Sequence, residues 1–172
     1  TEGLRDFHDQ GELKKLLNGL NKIINEKKIE CPIAIKISPD IKDNEISKIV
    51  DLVSSHNIKG IVMSNTTDSN RDNLSDIKKH EVGELSGQPL KDISTNLIKR
   101  FYKETKGKIK IIGVGGIDSG QSAYEKITAG ADVVQLYTGM VYKGPNVSND
   151  HWGSQAGPRN NEHSTVWRPH AF

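Results

Sequence analysis

The residues best suited to chemistry include a glycine pair that lies where an apolar run ends and a helix begins. Gly115 and Gly116 follow the apolar residues 111–114. Glycines let a backbone approach a phosphate closely, and the N-terminus of a following helix adds partial positive charge. The same pair would also suit a tight turn without a ligand. The sequence thus leaves an anion site and a plain turn as alternatives.

A lysine interrupts a second apolar run, residues 33–37. Lys36 lies near the C-terminal end of this run, where burying an ammonium without an anionic partner would be costly. Lys36 could stabilise negative charge on a cofactor ring such as a reduced flavin. Its long side chain could instead reach solvent at the rim of the fold. Both interpretations stay open.

Two further pairs of polar or small residues follow strand-like segments. Asn65 and Thr66 offer an amide and a hydroxyl that could hydrogen-bond a planar carboxylated ring, or simply make a turn. Ser86 and Gly87 could form a loop turn or a close backbone contact to a cofactor. Each pair is ambiguous by itself.

Composition excludes several classes of protein. The 172 residues carry 24 basic and 22 acidic side chains, a net charge of +2 without a basic stripe, so nucleic acid is not an expected partner. One cysteine, Cys31, excludes a disulfide framework. The chain lacks a signal peptide and an apolar run of membrane-spanning length, which predicts a soluble protein, and it opens at Thr1 as a fragment would.

Hydrophobic spacing supplies the elements that must position these groups. Helical spacing covers residues 13–24, 46–53, 92–102 and 119–127, and buried strands are predicted at 32–37, 60–64, 109–113 and 132–137. We expect the strand at 32–37 to be buried on both faces. Asp92 and Ser119 are predicted N-caps, and Gly130 is a predicted helix stop.

This alternation predicts right-handed βαβ units and a parallel sheet, of either Rossmann-like or barrel type. In barrels, a phosphate site recurs in the loops after strands seven and eight, here residues 114–116 and 137–139. The polar interval 67–91 is long enough to carry function.

The last 25 residues, from Ser148, show neither helical nor strand periodicity. Their three histidines, His151, His163 and His170, are too widely spaced for a local metal motif. We expect an irregular or non-native tail and no metal site.

Six segments, taken in order, resemble class 2 (quinone-dependent) dihydroorotate dehydrogenases. They are TEGLR at 1–5, IAIKISPD at 33–40, SNTT at 64–67, LSG at 85–87, IIGVGG at 111–116, and QLYTG through KGP at 135–145. The resemblance implies an α/β fold: the C-terminal half of a (β/α)8 TIM barrel, with four parallel strands alternating with helices. Residues 1–147 would form this half-barrel, and 148–172 a tail foreign to the family.

The resemblance also implies a function. FMN would oxidise (S)-dihydroorotate to orotate in pyrimidine (UMP) biosynthesis and pass electrons to a membrane quinone. The parent protein would be peripheral to a membrane, either the cytoplasmic face of a bacterial membrane or the mitochondrial inner membrane, and would meet the quinone through an N-terminal segment absent here. This fragment would be soluble.

Site residues are implied one by one. Lys36 would contact the flavin ring, Asn65 and Thr66 the orotate, and Thr66 the flavin as well. Thr1 would neighbour the proton-relay path. The remaining FMN contacts, including those to the phosphate, would be Ser86, Gly87, Gly115, Gly116, Tyr137 and Thr138.

Departures from the family pattern carry expectations too. Gly83 and Glu84 stand where the family has paired glycines, so a carboxylate is expected to weaken FMN binding. The serine that acts as catalytic base would precede Thr1, so the isolated chain is expected to be inactive. The tail from Ser148 replaces the family's closing helix.

Two alternatives remain. Another FMN barrel oxidoreductase would share the phosphate loops, although residues 65–67 and 136–138 argue against it. A non-catalytic flavin- or phosphate-binding half-barrel could self-associate through its open sheet edges.

Overall fold

The computed structural model describes residues 10–69, 71–72 and 74–148, which form helices that alternate with four short strands. The helices are α1 (Gln10–Lys27), α2 (Asp43–Ser55), α3 (Lys91–Thr105), α4 (Gly120–Ala129) and α5 (Thr138–Lys143). The strands are β1 (Ala34–Ile37), β2 (Gly60–Met63), β3 (Lys110–Val114) and β4 (Val133–Gln135). Three 3-10 turns span Ile77–His80, Gln88–Leu90 and Pro145–Ser148.

All neighbouring strands pair in parallel, in the order β1-β2-β3-β4. Lys36 pairs with Val62, Val62 with Ile112, and Ile112 with Val133. The predicted parallel sheet of four βα units is therefore confirmed. Consecutive strands lie side by side, as in a segment of a barrel wall.

One face of the sheet packs against the helices and forms the core. Ile61, Met63 and Ile111 on this face have no exposed surface, and neither do Ile98 and Phe101 of α3. Burying each such side chain contributes about 1.5 to 3 kcal/mol, which is what holds α3 on the sheet. The helical stripe of α2 (Ile46, Ile49, Val50 and Val53) is also buried, as its spacing predicts.

The other face of the sheet is open, so the expectation that the strand at 32–37 is buried on both faces was wrong. Ala34 and Lys36 of β1 are exposed, and Val133 of β4 is 42% exposed. Side chains alternate between the two faces of a strand, and helices cover only one of them. This open surface, which includes Lys36, Val62, Ile112 and Val133, is called the inner face below.

Helix ends test the predicted caps. Ser119 accepts a hydrogen bond from Ser122 N at 3.2 Å and begins α4, and Gly130 ends it with φ 118°, both as predicted. The Asp92 cap was wrong, because the turn Gln88–Leu90 runs directly into α3, and Asp92 lies inside its first turn.

The buried hydrophobic stripes of α1 and α3 include fewer residues than the helical spacing predicts. In α1, Leu13 and Leu17 are buried but Leu16 is 49% exposed, and Tyr102 of α3 is equally exposed. The predicted helices exist, yet each buries only the residues that face the sheet.

The interval 67–91 is organised by hydrogen bonds rather than by regular structure. Thr67 and Leu85 form an antiparallel bridge, with N···O distances of 3.1 and 2.6 Å. Arg71 donates to Lys79 O and Glu81 O at 3.1 and 2.7 Å. These contacts fold the interval back on itself, so that Leu85, near its end, lies beside Thr67, at its start.

Within the described part of the chain, no helix is both long enough and apolar enough to cross a membrane. Thr1, His151, His163, His170 and the tail residues 149–172 lie outside the described residues.

Candidate functional site

Polar or glycine-rich loops follow every strand, and parallel strands bring these loops to one edge of the sheet. Residues 38–40 follow β1, 64–67 follow β2, 115–118 follow β3 and 136–138 follow β4. In parallel βα folds, ligands bind at this carboxyl edge. We define the carboxyl edge as these four loops together with Ser86 and Gly87.

The glycine pair after β3 needs its glycines. Gly115 and Gly116 have φ of 107° and 68°, in the region that favours glycine. A Cβ on Gly116 would lie 2.5 Å from Lys91 N, and one on Gly115 would lie 3.2 Å from Leu90 Cβ. The loop therefore rests directly on the first turn of α3 as a tight turn, with Gly115 half-buried and Gly116 buried. Glycine turns of this type can bind anions, and this one is called the cradle below.

The predicted cofactor residues of two distant segments meet. Thr138 Oγ1 donates to Ser86 Oγ at 3.0 Å. A Cβ on Gly87, whose φ is 76°, would lie 3.0 Å from Thr138 Cγ2. The structure thus brings Ser86, Gly87 and Thr138 together.

Helix α5 was not predicted, and it packs tightly on the loop after β3. A Cβ on Gly139 would overlap the carbonyl oxygen of Ile117 and lie 3.2 Å from Asp118 Cα. The six-residue helix is too short for a periodic signal, although Gly139 in the sequence marks the close approach. Tyr137, just before α5, is 78% exposed.

Asp118 is the carboxylate nearest the glycine pair in sequence, and its charge is compensated. It accepts hydrogen bonds from Gln88 Nε2 at 2.5 Å and Lys143 Nζ at 3.4 Å. Burial raises the pKa of Asp118, but these hydrogen bonds outweigh it and hold the pKa below the ordinary value. Asp118 therefore acts as an ionised tie between α5 and the loop that precedes α3.

Sequence reasoning missed a second tie, made by Asp40. Its Oδ1 accepts from Thr67 Oγ1 at 2.5 Å and Ser69 Oγ at 2.8 Å. The backbone adds Asn65 N to Ile37 O at 2.8 Å. These bonds join the loops after β1 and β2 and so fix the segment that carries Asn65 and Thr66. In the sequence, Asp40 is recognisable only as an acidic residue shortly after a predicted strand.

Lys36 and Asn65 are both exposed at this end of the sheet, while Thr66 is half-buried. Lys36 lies on the open inner face, so its ammonium is not buried and does not require a buried counter-charge. Thr66 Oγ1 donates to a carboxylate oxygen of Glu84. The carboxylate predicted to disturb the cofactor loop thus contacts a predicted ligand-binding residue directly.

Among residues 10–69, 71–72 and 74–148, no three His, Cys, Asp or Glu side chains gather into a group that could hold a metal ion.

Parallel βα units with a glycine cradle and hydroxyl groups at the carboxyl edge define a segment of a ligand-binding (β/α) barrel. The sequence profile of the family described as dihydroorotate dehydrogenase matches residues 1–151. The chain therefore belongs to the dihydroorotate dehydrogenase family.

Curated relatives share this family. The chain is 43% identical over 150 residues to a dihydroorotate dehydrogenase (quinone) from Christiangramia forsetii, covering 87% of this chain and 44% of the relative. It is 44% identical over 143 residues to the protein of that name from Haemophilus influenzae, covering 83% and 39%. The chain thus spans less than half the length of these relatives.

Solved structures confirm the fold. DHODH from Eimeria tenella in complex with ferulenol is similar with a TM-score of 0.81 and 32% identity, over 87% of this chain and 44% of that one. Its ligand-free form gives a TM-score of 0.79 at 33% identity, over 87% and 46%. The predicted family and the predicted TIM-barrel type of fold are both confirmed.

Proposed function

We propose that this chain forms the flavin-phosphate and substrate-orienting part of a quinone-dependent dihydroorotate dehydrogenase. The whole protein would oxidise (S)-dihydroorotate to orotate in pyrimidine biosynthesis, with FMN as cofactor. The names of the curated relatives support the reaction, and the family match favours it over other FMN barrels.

One observation carries the proposal: segments far apart in sequence converge at the carboxyl edge. Ser86 and Gly87 meet Thr138, and the loop of Gly115 and Gly116 lies between α3 and α5 through the contacts of Ile117 and Asp118. Ser86, Gly87 and Thr138 are positions that the resemblance implies for FMN, and their contact across 52 residues of chain supports the proposal.

The groups present fit an FMN phosphate. Hydroxyls of Ser86 and Thr138 and backbone amides of the glycine loop are hydrogen-bond donors, which is what a dianion needs. A side chain at Gly116 would collide with the first turn of α3, and one at Gly115 would be strained by its φ of 107°, so the loop favours glycine at both positions. The neighbouring Asp118 is already neutralised by Lys143.

Other residues would act on the ring and the substrate. When bound, FMN would accept a hydride from dihydroorotate and pass electrons on to a quinone. Lys36, which projects from the inner face, would place a positive charge beside the ring. Asn65 and Thr66 would hydrogen-bond the substrate and hold it in a reactive orientation.

The proposed electron transfer to a quinone and the proposed membrane association rest on the name of the relatives. We propose a parent protein peripheral to a membrane, with the quinone reached through a part of the barrel protein that this chain does not contain. The catalytic serine base would likewise come from outside these 172 residues, so the chain alone should not turn over.

The reaction is tested in a protein that joins this chain to the N-terminal half of the Christiangramia relative, using dihydroorotate and a dye acceptor. Asn65→Ala should lower kcat/KM by about 100-fold through loss of substrate hydrogen bonds while FMN stays bound. Asn44→Ala, at an exposed position of α2, is the matched control and should keep full activity. A joined protein that binds FMN but never forms orotate would contradict the assigned reaction.

The open inner face supports a second candidate, a non-catalytic binder that pairs two copies. Among the strands that the structure describes, β1 and β4 each have one unpaired side in the sheet, and Val133 of β4 is exposed. Sedimentation of the chain with and without FMN separates the two candidates: a monomer under both conditions would rule out pairing.

A further inference from the structure

A charged side chain is completely buried outside the residues assigned to ligands. Lys126, on α4, has no exposed surface, although lysine is almost never fully buried unless it is paired. Burial lowers the pKa of Lys126 to about 8. A group this costly to bury calls for a specific role in the fold or the site.

The Lys126 ammonium has three hydrogen bonds, and all of them go to the start of α3. Its Nζ donates to Lys91 O at 2.6 Å, Ser94 Oγ at 2.7 Å and Thr95 Oγ1 at 2.7 Å. An ammonium has three donors, so each is used. The acceptors are neutral oxygens from one helical turn, and the lysine therefore fixes that turn as a unit.

That turn is the surface on which the glycine loop rests. A Cβ on Gly116 would lie 2.5 Å from Lys91 N, and one on Gly115 would lie 3.4 Å from Ser94 Oγ. Ser94 Oγ also donates to Val114 O, directly before the glycines, at 2.8 Å. A continuous chain of contacts thus runs from Lys126 through Ser94 to the backbone of the loop.

The stem of Lys126 contacts the strand itself. A Cβ on Gly113 would lie 3.2 Å from Lys126 Cβ, so α4 crosses β3 at close range just below the loop. Lys126 therefore contacts both the end of β3 and the start of α3, the two elements that flank the loop of Gly115 and Gly116.

We propose that Lys126 is a positioning residue for the anion cradle of Gly115 and Gly116, acting by locking the first turn of α3 against the end of β3. This deepens the proposed FMN function and rests on it for the identity of the anion. The lysine does not touch the ligand. It keeps the loop amides in one orientation, so that phosphate binding does not have to order them.

The test compares FMN with riboflavin, which lacks the phosphate, by titration of flavin fluorescence. Lys126→Met keeps the stem but removes all three donors, and should lower the preference for FMN over riboflavin about tenfold. Ser94→Ala removes the hydrogen bond to Val114 O and one of the three acceptors of Lys126, while Lys91 O and Thr95 Oγ1 remain, and should lower it about threefold. Lys103→Met, at an exposed position of α3, is the matched control and should leave the preference unchanged.

Backbone order parameters from 15N relaxation provide a readout that is independent of flavin. In Lys126→Met, those of Gly115 and Gly116 should fall from about 0.85 toward about 0.6, while those of β2 stay high. Uniform loosening of loop and sheet, or an unchanged loop with an unchanged FMN preference, would overturn the proposal.

The outcome remains decisive if the variant does not fold or if the chain binds no flavin. If Lys126→Met does not fold, Ser94→Ala decides by the same two measurements. If the wild-type chain binds no flavin, the FMN function fails, but the order parameters still decide whether Lys126 holds the loop.

Discussion

Thr138 Oγ1 lies 3.0 Å from Ser86 Oγ, although 52 residues separate them in the chain. The contact joins the end of the long interval after β2 to the start of α5. It exists because Gly87 has a positive φ and lacks a Cβ, which lets Thr138 approach. The hydrogen bond between Ser86 and Thr138 therefore holds these two segments together at the carboxyl edge.

Gly116→Ala should weaken FMN binding by more than tenfold, because the added methyl collides with the first turn of α3 and the φ of 68° strains alanine. Gly19→Ala is the matched control: it lies inside α1 with open space around it, and should stabilise the fold by about 0.5 to 1 kcal/mol. Thermal denaturation and FMN titration measure both effects. A Gly116→Ala protein with normal FMN affinity would argue against the cradle.

Lys36→Met should shift the reduction potential of bound flavin to more negative values, since a positive charge beside the reduced ring is lost. The expected shift is about 20 to 90 mV, equivalent to about 1 to 4 kcal/mol over two electrons. Lys110→Met, at the opposite end of the strands on the inner face, should shift it far less. Equal potentials in the Lys36→Met protein and the wild type would place the flavin ring elsewhere.

Glu84→Gln should raise the affinity for FMN by about 2- to 10-fold, because a negative charge that contacts Thr66 repels anionic ligands. The gain should shrink at high salt, which screens an exposed charge. Glu81→Gln removes an equal charge from the same interval and is the control. A gain of the same size from both substitutions would indicate a general charge effect and not the contact with Thr66.

The lowered pKa of Lys126 predicts that the free energy of unfolding increases at alkaline pH. Its pKa is about 8 in the folded chain against an ordinary 10.5, chiefly because of burial, opposed by Asp92 and Glu125 and assisted by Lys91. Between these values the unfolded chain binds more protons, so the free energy of unfolding should rise with pH, by about 3 kcal/mol for this group.

Urea unfolding between pH 7.5 and 10.5 isolates this contribution when the wild type is compared with Lys126→Met. The difference in stability between the two proteins should change across the window in the wild type's favour. Parallel pH curves would show that Lys126 keeps its ordinary pKa in the folded state.

The sequence was sufficient for the alternation of four strands with helices α1 to α4 and for the family. Periodicity located α2 and the four strands, and Ser119 and Gly130 bounded α4, because those signals are local. The glycine pair was recognisable because its chemistry lies in consecutive residues.

Features that depend on distant partners were not predictable in this way. Asp40, Asp118 and Lys126 are ordinary polar residues in the sequence, and their importance comes from contacts made across the fold. The exposure of Val133 was not predictable for a different reason: an apolar run cannot say whether a neighbouring layer is present to cover the strand.

The most direct test of the FMN assignment is an NMR titration of the 172-residue chain with FMN, with riboflavin in parallel. The account predicts that FMN shifts the amide signals of Ser86, Gly87, Gly115, Gly116 and Thr138, and that riboflavin leaves those of Gly115 and Gly116 nearly unmoved. FMN-induced shifts confined to other surfaces, such as the outer side of α3 and α4, or no shifts at all, would contradict it.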